Sequence, residues 1–114
     1  MKVYTLVGKS GTGKSFHAME LCKKLGVEAI IDDGLFIYKN SVIAGNSAKR
    51  QETKIGAVKI ALFLNDRLRN QVVSAIKKEN PESILVLGTS EDMVDKIIER
   101  LNLPSLLREY ALKT

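Results

Sequence analysis

From Lys2 to Val7 the chain is apolar and β-branched and stops abruptly at Gly8, the pattern of a buried strand. Ala18, Leu21, Cys22 and Leu25 then recur at i, i+3, i+4 and i+7, one face of an amphipathic helix, with Gly26 placed to cap its end. A second strand is predicted over Val27 to Ile31, running into Asp32-Asp33-Gly34. Two short β-prone runs, Leu35 to Tyr38 and Ser41 to Ala44, meet at Lys39-Asn40 and predict a hairpin. From about Ser47 to Glu79 the period becomes helical, with Val58, Ala61, Leu62, Leu68, Val72, Ala75 and Ile76 near one face. The pattern leaves open whether Asn65-Asp66 divides this stretch in two.

Asn80-Pro81 ends the helical region, because proline disfavours helical geometry in the residue before it. Ile84 to Leu87 is a short apolar run without alternation, as a strand covered on both faces of a parallel sheet requires. Thr89-Ser90-Glu91-Asp92 has the form of a capping box, and Val94, Ile97, Ile98 and Leu101 give the next helical stripe, closed by Pro104. The tail from Ser105 to Thr114 is read as one more helix.

This rhythm predicts a three-layer α/β/α fold with an abbreviated, mainly parallel sheet and a small β-hairpin insertion. The expected order of its three parallel strands is second, third, first, with the first strand at one side. Such a narrow sheet leaves an edge beside the first strand, which points to a homodimer or to a missing C-terminal portion. At 114 residues the chain is one domain, 1–114, short enough to be expected as the N-terminal part of a larger protein.

A content of 45% hydrophobic and 27% charged residues is that of a soluble globular protein, and no apolar run is long enough to span a bilayer. A cytoplasmic location without a membrane partner is therefore expected. With one cysteine, Cys22, and one histidine, His17, neither an internal disulfide nor a zinc site can form; His17 is read as a surface residue. The net charge of +5 comes from one segment, where Lys49, Arg50, Lys54, Lys59, Arg67, Arg69, Lys77 and Lys78 face only Glu52, Asp66 and Glu79. That segment is either a solvated helix surface or a cationic face turned toward phosphates. Aromatic residues are 5% of the chain, too few for a base-stacking platform, so nucleic acid is not expected as a partner.

Gly8-Lys9-Ser10-Gly11-Thr12-Gly13-Lys14-Ser15 matches G-x-x-x-x-G-K-[ST] at every fixed position, between a predicted strand and a predicted helix. Glycines suit a loop that must turn its amides inward around a polyphosphate, and the positive end of the following helix adds to the attraction. In that reading Lys14 reaches the β and γ phosphates and Ser15 ligates Mg²⁺ through its hydroxyl.

The octet resembles the Walker A loop of P-loop NTPases, and its surroundings resemble the P-loop kinases of small metabolites. In such kinases the strand after the loop helix ends in an Asp-x-Asp-like element that serves the metal and the acceptor. The resemblance therefore implies ATP and Mg²⁺ as cofactors, with Lys14, Asp32 and Asp33 in catalysis and Ser15 and Asp32 at the metal. Here the carboxylates are adjacent, so along a continuing strand they point to opposite faces, and Asp33-Gly34 can equally be a simple turn.

A Walker B carboxylate is not evident. The strand Ile84 to Leu87 ends in Gly88-Thr89-Ser90, hydroxyl residues that either meet the metal through water or cap a helix. The absence of Asn-Lys-x-Asp favours ATP over GTP. Lys49-Arg50 and Arg67 with Arg69 are candidates for a clamp over the γ phosphate, or are surface charges. The expected activity is kinase-like phosphoryl transfer or ATP hydrolysis with an unknown small-molecule or protein acceptor. The alternative is a nucleotide-binding regulatory module with little or no turnover.

Overall fold

A computed structural model describes residues 1–9, 14–104 and 108–113, with side chains over 1–9 and 16–104. Its elements are strand β1 (Lys2–Val7), helix α1 (Lys14–Leu25), strands β2 (Ala29–Asp32), β3 (Leu35–Tyr38) and β4 (Ser41–Gly45), a 3-10 turn (Ala48–Arg50), helices α2 (Lys54–Ala61) and α3 (Asp66–Glu79), strand β5 (Ser83–Gly88), helix α4 (Glu91–Arg100) and strand β6 (Arg108–Lys113).

The strands form one sheet in the order β4-β3-β2-β5-β1-β6. β2, β5, β1 and β6 run parallel, while β3 and β4 extend the sheet antiparallel beyond β2. The expected order of second, third and first strand is present as β2-β5-β1. Its surroundings differ from expectation. The tail forms β6 rather than a helix and pairs with β1, so the strand before the glycine-rich loop lies inside the sheet. An open edge at β1 therefore no longer gives a reason to expect a dimer there.

Alternation on β5 sorts the core into two halves. Ile84 and Val86 point to one face, packing with Val3, Ala29, Ile31 and Phe36 of the sheet, Val72 and Ile76 of α3, and Val94, Ile97 and Ile98 of α4. Leu85 and Leu87 point to the other, where Leu6 and the Ala18, Leu21 and Cys22 stripe of α1 cover them. Helices on both faces explain why β5 reads as a continuous apolar run. Each such side chain, fully buried, contributes about 1.5–3 kcal/mol.

The helix ends follow local chemistry. Gly26, at φ 70°, ends α1, and the Val27 amide donates to the Cys22 carbonyl at 2.9 Å, a Schellman end. The long helical stretch is divided after Ala61: Phe63 takes a left-handed conformation, φ 55°, and Asn65 caps α3 by accepting from the Leu68 amide at 3.0 Å. The expected capping box at Thr89 is replaced by a cap one residue later, where the Ser90 hydroxyl accepts from the Met93 amide at 3.1 Å.

Candidate functional site

The site lies where the parallel strands end at their carboxyl edge, the place where open α/β sheets take ligands. β1 and β5 finish side by side, and the Gly8 amide donates to the Gly88 carbonyl at 3.1 Å. That bond sets the start of the octet against the end of β5. Of the octet, Ser10, Gly11, Thr12 and Gly13 lie outside the described residues, and Lys14 and Ser15 are described only as the first residues of α1. The strand and the helix that the motif requires are both present, with β1 ending at Val7 and α1 beginning at Lys14.

Beyond Gly88 a cavity of about 420 Å³ opens between the β2–β3 turn, the 3-10 turn, α2 and the start of α4. Ala57, Val58, Ala61, Leu62 and Met93 make its apolar lining, and Asp33, Lys49, Thr89, Ser90, Asp92 and Lys96 bring polar groups to it. Thr89 is drawn to the wall: its amide and hydroxyl both donate to the Met93 sulfur, at 3.3 and 3.4 Å. Asp92 and Lys96 form an exposed ion pair at 3.1 Å.

Asp32 and Asp33 part company. Asp32 is the last residue of β2 and, by alternation with Ile30, lies on the α1 side of the sheet. Asp33 leaves the strand at φ 54° and Gly34 follows at φ 91°, a tight two-residue turn between β2 and β3. Sequence reasoning left two roles open for Asp33, turn residue or site residue. Asp33 forms the turn and also lines the cavity.

The Oδ2 atom of Asp33 is buried and has no hydrogen-bond partner among the described residues. A buried carboxylate oxygen without a donor is costly, and where one persists a ligand, water or ion is the natural partner. Among the described residues no three His, Cys, Asp or Glu side chains gather into a metal cage. Mg²⁺ needs none, because it keeps several waters and binds through one or two protein oxygens and the phosphates.

Of the four candidate clamp cations, only Lys49 reaches the cavity. Arg50 is exposed at the end of the 3-10 turn, and Arg67 is exposed on α3. Arg69 is engaged elsewhere: its Nε donates to the Arg100 carbonyl at 2.6 Å, at the end of α4 remote from Ser90. His17 is exposed, as expected.

The chain is 30% and 29% identical to proteins named tRNA dimethylallyltransferase from two strains of Helicobacter pylori, over 98% of its own length. A protein of the same name from Acholeplasma laidlawii is 28% identical over 83% of the chain. The likeness supports the P-loop superfamily, and no single family within it. The chain spans about two fifths of the length of the Helicobacter relatives. No protein-family model and no solved structure matches it. The named substrate of these relatives is a tRNA, which runs against the expectation that nucleic acid is not a partner. Among the described residues no helix is long and apolar enough to cross a membrane.

The sequence did not reveal the cavity wall. Val58, Ala61 and Leu62 fall near one face of the predicted helix, a spacing that a core stripe shares. Yet Val58 is 53% exposed, because this part of the stripe faces an opening rather than the sheet. The available signal was the small residues interleaved with it, Gly56, Ala57 and Ala61, which leave room beside the helix.

Proposed function

We propose that this domain carries out group transfer with a polyphosphate ligand held by the loop Gly8 to Ser15, namely ATP with Mg²⁺, and that the acceptor lies in the neighbouring cavity. The observation that carries the reading is that Asp33 lines that cavity and that its buried Oδ2 has no hydrogen-bond partner among the described residues. A carboxylate so placed accepts the proton of an acceptor hydroxyl or amine as that atom attacks the transferred group.

In this assignment Gly8, its amide held by the Gly88 carbonyl, starts the turn, and Lys9, Ser10, Gly11, Thr12 and Gly13 supply backbone amides to the phosphates. Lys14 neutralises charge on the β and γ phosphates, and Ser15 holds Mg²⁺. Asp32, on the α1 side with Ser15's helix, supports the water shell of the ion. Lys49, brought to the cavity by the 3-10 turn, adds positive charge where the transferred group passes. Mg²⁺, when bound, offsets the negative charge of the phosphates; the proton is handled by Asp33.

A second reading has a specific observation in its favour. The cavity is lined by Ala57, Val58, Ala61, Leu62 and Met93, a surface that suits an apolar group better than a sugar or a hydroxy acid. In this version the loop holds a diphosphate whose apolar group lies in the cavity, and the group passes to a nucleic-acid acceptor, in keeping with the name of the relatives.

Two labelled donors separate the readings. Incubation of the protein with γ-labelled ATP, Mg²⁺ and a metabolite extract should give a labelled product or free phosphate in the first. Labelled dimethylallyl diphosphate with bulk tRNA should give labelled RNA in the second. Tight nucleotide binding without either product would favour the regulatory module instead, and no binding or transfer with either donor overturns both readings.

A further inference from the structure

The two walls of the cavity converge on one side chain. Arg100 ends α4 and shares a helical face with Asp92, Met93 and Lys96, all of which line the cavity. Its Nε donates to the carbonyl of Phe63 at 2.9 Å, and its Nη2 donates to Asp66 Oδ1 at 2.8 Å. Phe63 follows directly on Leu62, the cavity residue nearest the end of α2. Arg69 completes the joint from α3 through the bond to the Arg100 carbonyl.

The acceptor of the first bond is set by an uncommon backbone. The Phe63 amide donates to Ile60 and the Leu64 amide to Lys59, a Schellman end whose left-handed residue is a phenylalanine instead of glycine. That conformation costs an L-residue about 1–2 kcal/mol. The Phe63 ring is fully buried, which holds the residue there, and the left-handed turn presents its carbonyl to the guanidinium. α2 itself is a short wall. It rests on the 3-10 turn and, through Ile60, against Gly34, while Ile55 and Val58 stay 71% and 53% exposed.

We infer that Arg100 is a positioning residue for the cavity: by tying the end of α2 to the end of α4 it fixes the width of the space facing Asp33, without touching ligand. The inference rests on the second reading, in which this cavity takes the apolar group of a diphosphate held by the loop. Asp66 is the lesser anchor, exposed to solvent, and the bond to the Phe63 carbonyl is the one that sets the spacing.

The test compares two probes, each with Mg²⁺, by calorimetric titration. Inorganic diphosphate reports the loop alone, and dimethylallyl diphosphate reports the loop and the cavity together. Wild type should bind the second more tightly. In Arg100→Met that advantage should shrink by at least about threefold, with the affinity for inorganic diphosphate unchanged. Asp66→Asn, which keeps the Phe63 bond, should retain the wild-type ratio. Arg100→Lys, with one mobile donor in place of the fork, should fall between, and serves where the methionine variant fails to fold. An undiminished ratio in Arg100→Met and Arg100→Lys overturns the inference alone. A wild-type ratio near one overturns the cavity reading and the inference with it.

Discussion

The amide of Ala48 donates to the carbonyl of Asp33 at 2.9 Å, and this bond folds the exit of β4 back over the turn that ends β2. A second bond beside it, from the Asn46 amide to the Gly34 carbonyl at 3.2 Å, fixes the same crossing. Together they bring the 3-10 turn, with Lys49, to the cavity that Asp33 also lines. The antiparallel strands β3 and β4 thus act as a device that returns the chain to the carboxyl edge of the sheet.

Gly34 is the weak point of that device. It is buried at φ 91°, and a Cβ there would overlap the Asn46 carbonyl and come within 2.6 Å of Ile60 Cγ2. Gly34→Ala should lower the unfolding free energy by about 2 kcal/mol or more in urea titration, combining backbone strain with a backbone clash. An unchanged midpoint would show that the crossing is not as tight as described.

Asp33→Asn and Asp32→Asn should behave differently. Removing the charge from the buried, unpartnered oxygen of Asp33 should leave stability equal or raise it by about 1 kcal/mol, while turnover falls about 10²-fold or more. Asp32→Asn should leave the proton-transfer step in place and raise the Mg²⁺ concentration needed for half-maximal rate. Thermal melts and a Mg²⁺ titration of the rate check both statements. A destabilised Asp33→Asn with normal turnover would make Asp33 a turn residue only.

Much of the fold was legible because β5 is an uninterrupted apolar run, because the stripes of α1 and α4 are periodic, and because strands with helices between them have few ways to pair. The role of the tail was not legible. Short segments of mixed apolar and charged residues such as Arg108–Lys113 carry no clear period, and it is the partner strand β1 that selects the extended form. The octet was visible as chemistry from its spacing. The cavity was not, since the apolar face of α2 has the same signature whether it meets a core or a ligand. The role of Arg69, open between clamp and surface charge, was not legible for a related reason: a sequence shows its charge but not the Arg100 carbonyl that engages it.

Gly88 should tolerate no side chain. A Cβ there would lie 2.6 Å from Val94 Cγ1, at the point where α4 meets the end of β5. Gly88→Ala should cost about 1–3 kcal/mol by overpacking and weaken ligand binding at the same time, because the carbonyl of this residue anchors Gly8. Equilibrium unfolding and titration with ATP measure the two effects.

Acid should act on the joint at Arg100. The hydrogen bond from the Arg100 guanidinium, helped by its charge, holds the Asp66 carboxyl below the usual carboxylate range. Such a group adds stability above its unfolded pKa, about 3.9, and that contribution is lost as pH falls through the lower folded value. Wild type should therefore melt slightly above Asp66→Asn at pH 7, and the gap should close in the acid range below pH 3.9. A gap that widens on acidification would reverse the assigned sign.

Calorimetric titration of the wild-type chain and of Lys14→Ala with ATP and Mg²⁺ reaches the centre of the account. Saturable binding of one nucleotide per chain is expected in the wild type. The variant should lose most of that affinity at unchanged melting temperature, because the lysine is there for charge rather than packing. A wild-type chain that takes up no nucleotide at millimolar concentration, or a variant that binds as well as wild type, would contradict it.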